Sequence, residues 1–325
     1  MDGAVNLTPN GYAEFSVITF QNDNAQPFHL IGSVDKRMSS EPQSASISLT
    51  NPASIGEVNI IEQWLSDYYL RSTEFLESDF QLEIISGYSE NGVAVWHQIF
   101  LGDIVDIGIP QAPTVSDMSI TFDALGGNRE MNRPRVKHVF DTGTSDLEIV
   151  EYIYGIWAQE WGTLRGVIAD PDGKLAATIR RKPFTIDRDE TNALNDIADL
   201  HDYVWGIDRN HFFCVPKNYI GEVTTDDKAA YRVDTSTGKV GISGLEKGRV
   251  AFNHLIDADI QLGRRYISDD TPSLDVPAME LRCDAISYTI DNTSPQPCNV
   301  SGFIIDGDVA KLPTKQSRVD HSMMR

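Results

Sequence analysis

The stretch "HDYVWGIDRNHFFCVPK", residues 201–217, holds His201, His211 and Cys214 within fourteen residues. A thiol beside an imidazole is a nucleophile with its base, and two imidazoles with a thiolate are three of the four ligands of a tetrahedral metal site. Either chemistry requires the side chains to converge, with a further group orienting the imidazole. The local pattern argues against convergence. His201 closes the row Leu194, Ile197, Ala198, His201, spaced as one helix face, and Asp187 and Glu190 stand ahead of it at capping-box spacing. That helix should end near Asp202. Strands over 203–207 and 211–215 follow, joined by the tight turn Asp208-Arg209-Asn210. Strict alternation then sends His211 and Phe213 to one face of the second strand, and Phe212 and Cys214 to the other. The stretch reads as a helix and hairpin with a buried thiol.

Other constellations fare no better. The remaining histidines, His29, His97, His138, His254 and His321, are scattered, with no HxH or HExxH run. Asp226 to Lys228 ("DDK") and Ser268 to Asp270 ("SDD") lack the spaced oxygen ligands and the glycine of a calcium loop, and read as solvated loops. Gly241-Ile242-Ser243-Gly244 falls short of the GxSxG elbow that exposes a nucleophilic serine. Neither GxxxxGK[ST] nor GxGxxG is present, so no loop is built to cradle a phosphate. Paired carboxylates of the glycosidase kind lie far apart in sequence, and 48 acidic residues make coincidental pairs common. Trp96, Trp157, Trp161 and Trp205 would suit a sugar platform, yet their strand and helix spacing places them in cores. No catalytic, cofactor-binding or metal residue is assigned, and no cofactor is expected.

The elements around these residues fall into three regions and a tail. Over residues 1–127 the chain reads as a β-barrel or sandwich. Short β-branched or aromatic segments such as "FHLIGSVDKRM", "FQLEIISGY" and "DMSITFDAL" are bounded by turn residues. In "SASISLT", Ala45, Ile47 and Leu49 share one face and Ser44, Ser46, Ser48 and Thr50 the other, one buried and one wet. A helical insert is expected near 60–70, where Ile60, Ile61, Trp64, Leu65 and Tyr68 have helical spacing. Residues 128–230 form a middle α/β region. One helix near 145–160 carries Leu147, Val150, Ile153, Tyr154 and Trp157 on a stripe, with Asp141, Ser145 and Asp146 available to cap it. The turn "DPDGK" and the extended stretch "AATIRRKPFTI" follow, then the helix near 189–202 and the hairpin 203–215. Residues 231–305 are again β-rich, a second barrel, and 306–325 form a flexible or partner-ordered tail. The fold class is therefore α+β, mainly β.

Composition excludes several classes. At 325 residues and 41% hydrophobic the chain can bury a sizeable core. A formal charge of -21 leaves no basic footprint for gripping phosphates. Three cysteines without CxxC spacing fit free thiols in a reducing compartment. No basic-then-apolar leader and no long apolar run is found, so neither secretion nor stable membrane insertion is expected.

In order, these pieces resemble the hub proteins of phage baseplates, which join tail tube to central spike in contractile tails and related injection systems. "DETNALNDIADLHDYVWGIDRNHFFCVPK" looks like the family's helix-plus-hairpin element. "VDTSTGKVGISGLEKGRVAFNHLIDADIQLGRRYIS" is similar to the segment that follows it there. Phe252, Leu255, Ile256, Ile260, Gly263 and Tyr266 stand in the family's apolar and glycine places, and Ala258 replaces the usual proline. "ELRCDAISYTIDNTSPQPCNVSGFII" resembles the closing hairpin, and "GDIVDIGIPQAPTVSDMSITFDALGG" a strand pair of the first half. Residues 128–140 and the insert near 60–70 align with no family motif.

The resemblance implies two tube-protein-like β-barrel domains per chain. A homotrimer then presents six similar barrels, matching a six-fold tail tube on one side and a three-fold spike on the other. It implies a non-enzymatic virion protein assembled in the host cytoplasm. Its partners would be the tail tube, tape-measure, central spike or needle and other baseplate proteins, with DNA only in passage through the channel. The alternatives are a tail-associated peptidoglycan hydrolase, disfavoured because no further domain follows Ile305, and a polysaccharide-binding tail protein.

Overall fold

The computed structural model describes residues 4–9, 18–21, 29–50, 80–90, 93–108, 119–132, 137–187, 190–246, 249–257, 259–268, 279–291, 297–306 and 309–310. The first region supplies β1 (Ala4–Pro9), β2 (Ile18–Gln21), β3 (His29–Arg37), β4 (Gln43–Thr50), β5 (Phe80–Glu90), β6 (Val93–Gly108) and β7 (Ser119–Gly126). The middle contributes α1 (Asn128–Asn132), β8 (Lys137–Phe140), α2 (Asp146–Trp161), β9 (Leu164–Ile168), α3 (Lys174–Ala177), β10 (Phe184–Asp187), α4 (Glu190–His201), β11 (Tyr203–Asp208) and β12 (His211–Pro216). The last region gives β13 (Tyr231–Val233), β14 (Lys239–Glu246), β15 (Arg249–His254), β16 (Arg265–Ser268), β17 (Met279–Asp291), β18 (Cys298–Asp306) and β19 (Val309–Ala310). The insert near residues 60–70 lies outside the described residues, as does Ala258.

The fold is mainly β, and its two β-rich regions belong to one sheet of fourteen strands. Its main path runs β14-β15-β18-β17-β3-β4-β7-β6-β5-β1-β2, and among the described residues its two ends do not pair with each other. The seam between the regions is β17 against β3, antiparallel, with Tyr288 opposite Val34 and Ile286 opposite Lys36. Period-two patterning explains the buried side. Val34, Ala45 and Ala124 line up across β3, β4 and β7, as do Gly32, Ile47 and Phe122. Ala45, Ile47 and Leu49 are all buried, on the face that the alternation of "SASISLT" assigns to them. Gly32 is small because Ile47 lies over it: a Cβ there would sit 2.4 Å from the Ile47 Cδ1.

The middle region has its own sheets, β8 with β10, and β11-β12-β9. Ser145 caps α2, its hydroxyl accepting from the Glu148 N–H while the Glu148 carboxylate accepts from the Ser145 N–H. The left-handed Gly162 ends the helix. The buried stripe is Ile149, Val150, Ile153 and Trp157, so the face is rotated from the expected one: Leu147 and Tyr154 lie at its half-buried margins. The "AATIRRKPFTI" stretch also differs from expectation. Ala176 and Ala177 end α3, and only Phe184–Asp187 forms a strand. The cause is Asp170, whose carboxylate accepts from the N–H groups of Leu175 and Ala176 and so starts a helical turn. Among the described residues no helix is long and apolar enough to cross a membrane.

β12 is the wall between two hydrophobic clusters. Phe213 and Val215 join the cluster that runs under the large sheet. Phe212 and Cys214 join a second one, with Ile149, Ile153, Trp157, Leu194, Ile197 and Trp205. The hairpin turn at Arg209 (φ 48°) and Asn210 (φ 64°) has positive φ at both central residues, matching strand twist.

Candidate functional site

The structure disperses the three residues with which the sequence raises a chemical question. His201, at the end of α4, places Nε2 2.8 Å from Oδ2 of Asp146, and Oδ1 of that buried carboxylate lies 2.5 Å from Nε of Arg180. His211 donates from Nδ1 to the Arg209 carbonyl at 2.9 Å. Cys214 sits in the inner cluster, 1% exposed, and burial, reinforced by Asp170, pushes its thiol up to about 12. A thiol so poor in thiolate is no nucleophile at neutral pH. The Asp146–His201 pair, which local spacing could not reveal across 55 residues, orients an imidazole but has no hydroxyl or thiol beside it among the described contacts.

The other candidates are likewise absorbed into packing. Trp157 and Trp205 are buried with ring centroids 6.0 Å apart, and the Trp205 indole donates to Asn195 at 2.9 Å. Trp161 is half-buried, with the Arg129 guanidinium 6.0 Å from its ring centre. The Trp96 side chain is outside the described residues. Asp226 accepts from the Tyr219 hydroxyl, and Asp227 pairs with Arg264 at 3.1 Å. Ser243 shares a contact of 3.1 Å with Ser268, to which Lys239 also donates at 2.8 Å. Ser268 is fully buried, so no substrate reaches that lysine and serine pair. Among the described residues no three His, Cys, Asp or Glu side chains group as metal ligands.

What the molecule does build is a joint. Two ion pairs, each buried, fasten the middle region to the first. Lys36 on β3 meets Asp208 at the hairpin tip at 2.6 Å, and Asp103 on β6 meets Nε of Arg129 on α1 at 2.6 Å. Burial opposes both charges of the first pair. It draws the Lys36 ammonium below its usual range, whereas Lys36 and Arg209 together outweigh it at Asp208 and hold that carboxyl low. At Asp103 burial wins over Arg129 and the carboxyl is raised. Arg282 adds a third tie, donating to the carbonyls of Lys217 and Tyr219 and to the Asp284 carboxylate.

Beside this joint opens a cleft of about 460 Å³, whose lining includes Ser39, Asn195, Tyr203, Lys217, Arg282 and Asp284. All three regions reach it. Its two cations are already answered, Lys217 by Asp202 at 3.0 Å and Arg282 by Asp284, and the lining also carries the exposed carboxylate of Asp199. The geometry holds three segments of one chain in fixed relation.

No protein-family model matches the chain. No curated protein matches it in sequence. Solved structures do match in fold. The Escherichia coli c3393 protein, a component of the type VI secretion system described as structurally similar to the T4 bacteriophage tail proteins gp27 and gp5, superposes with a TM-score of 0.52 at 9% identity. The match covers 95% of this chain and 79% of that one. The 43 kDa tail protein of prophage MuSo2 from Shewanella oneidensis gives 0.53 at 8% identity, over 94% and 98% of the two chains. A tail protein from Neisseria meningitidis MC58 gives 0.55 at 8% identity, over 95% and 98%. The chain therefore shares its fold with these tail and type VI secretion proteins.

Proposed function

We propose that the chain is the hub of a phage-type tail, a structural and non-enzymatic virion protein that adapts a six-fold tube to a three-fold spike as a homotrimer. The observation that carries this reading is the likeness of fold to two tail proteins over nearly their whole length, 98% of each. The β-rich regions 1–127 and 231–305 supply the two barrel-like lobes, and 128–230 braces them from outside. Two buried ion pairs, and the strand β12 whose two faces pack into both hydrophobic clusters, tie that brace to the lobes, as a collar between tube and spike requires. The tail tube, tape-measure and spike or needle proteins are the partners. A net charge of -21 gives the channel wall a use: phosphates passing through are repelled and do not stick.

Low-resolution electron microscopy of the purified assembly tests the reading. A three-fold ring with pseudo-six-fold features is the expected image. Lobes that cannot be superposed on one another, or particles without a central opening, would refute it. Clearing of peptidoglycan by the chain in a zymogram, lost on substitution of a single acidic residue, would replace it with the hydrolase reading.

A further inference from the structure

The cleft beside the joint is furnished for a polypeptide. Met38, Ala198 and Val204 make part of its lining apolar. Asn195 spends its Oδ1 on the Trp205 indole, so its amide N–H groups are left to donate to a carbonyl. The buried Oγ of Ser39, also on the lining, has no hydrogen-bond partner among the described residues. A volume of about 460 Å³ lies within the range of sites that hold a ligand.

The charges of the wall are unevenly answered. Lys217 has Asp202 and Arg282 has Asp284, whereas Asp199 is exposed and has no ion-pair partner among the described residues. Asp196, three residues earlier on α4, is likewise exposed and unpaired among them. An occupant that matches the cleft therefore combines apolar side chains with cations.

One stretch of this acidic chain has that chemistry. Residues 311–325, "KLPTKQSRVDHSMMR", lie outside the described residues and hold four basic residues against one acidic, with Leu312, Val319, Met323 and Met324 among them. The stretch starts close to the cleft. Arg282, on the wall, stands opposite Phe303 in the ladder of β17 with β18, and two positions further along β18 Ile305 pairs with Ala310. Two residues of strand and two strand spacings put Ala310 within about 20 Å of Arg282, while the residues that follow extend to about 50 Å.

We propose that residues 311–325 dock in this cleft of their own chain, with Lys315 against Asp199 and Arg318 against Asp196. The segment straps the end of the third region to the middle one, beside the tie that Arg282 makes to the carbonyls of Lys217 and Tyr219. The docking is independent of the hub reading.

Carbodiimide cross-linking of the full-length chain, read by mass spectrometry, tests it, because the reagent joins a carboxylate to an amine only in contact. A link between Asp199 and Lys315 in material of monomer mass is expected. Hydrogen exchange supplies a second readout at the Met38 amide, which donates to the Asp284 carbonyl on the cleft wall. Lys315→Glu with Arg318→Glu should speed its exchange about fivefold, the scale of two exposed ion pairs, and adding Asp196→Lys with Asp199→Lys should restore the wild-type rate. Circular dichroism checks that each variant keeps its fold.

Absence of any link to Asp199, with exchange unchanged in the Lys315→Glu and Arg318→Glu variant, overturns the docking. A link found only in material of dimer mass and lost on dilution assigns the cleft to the tail of a second copy, and overturns it as well. Either result leaves the ring image as the separate test of the hub, so the two readings fail separately.

Discussion

Lys36 and Asp208 lie 2.6 Å apart with side chains 1% and 0% exposed, the first in the seam of the large sheet and the second at the tip of the middle hairpin. Neither charge has water to fall back on. The energetics of such a pair are asymmetric: breaking it strands an ion, while replacing both partners removes the problem.

Asp208→Asn should therefore destabilise the fold by about 3–5 kcal/mol, and Lys36→Met with Asp208→Leu should recover most of that loss. Urea unfolding of the single and double variants measures it. A single variant within experimental error of wild type would show that the joint carries no load.

Thiol chemistry should be silent in the native protein. Burial pushes Cys214 and Cys298 up to about 12 and Cys283 well above the ordinary thiol value, and all three are buried. A thiol reagent at pH 8 should label none of the three within minutes and all three in 6 M guanidinium. Rapid native labelling of Cys214 would reopen the question of its reactivity.

Stability should fall on mild acidification, with His254 contributing. Burial holds its imidazole below the ordinary histidine value, against the opposing pull of the Leu255 carbonyl and Asp257. Above that ordinary value neither the folded nor the unfolded chain carries the proton. Below it, the unfolded chain binds a proton that the folded one refuses, so stability is lost as pH falls toward the folded value, by at most about 1.4 kcal/mol per pH unit. Unfolding midpoints of wild type and His254→Gln between pH 7.5 and 5.5 test this, and the variant should show the shallower slope.

Gly263 should tolerate no side chain. Its φ is +79°, and a Cβ would stand 2.2 Å from the Gly221 carbonyl oxygen, a backbone atom that cannot swing aside. Its N–H donates to the Cys283 carbonyl, and its own carbonyl accepts from the Gly221 N–H. Gly263→Ala should cost about 3 kcal/mol or more, summing backbone strain and overpacking. A thermal midpoint equal to wild type would contradict the packing described for this loop.

The sequence made some of this legible and not the rest, for physical reasons. Helix and hairpin over 190–216 follow from short-range spacing, as does the sorting of Phe212 with Cys214 away from Phe213 with Val215. The capping box at Ser145 and Glu148 fixes where α2 starts, but its apolar residues nearly encircle it, so the buried stripe could not be oriented without its neighbours. Pairings across long separations leave no local trace. Neither the seam between β3 and β17, some 250 residues apart, nor the parallel pairing of β9 with β12 has a periodicity of its own. The ion pairs of the joint were invisible for the same reason. Forty-eight acids and 27 bases permit many pairings, and only the fold selects among them.

Because β12 has no wet side, the two clusters it separates should melt as one cooperative unit. Force that strips the middle region away must also open the packing under the large sheet, so a pull on either would meet a single body that yields all at once or not at all.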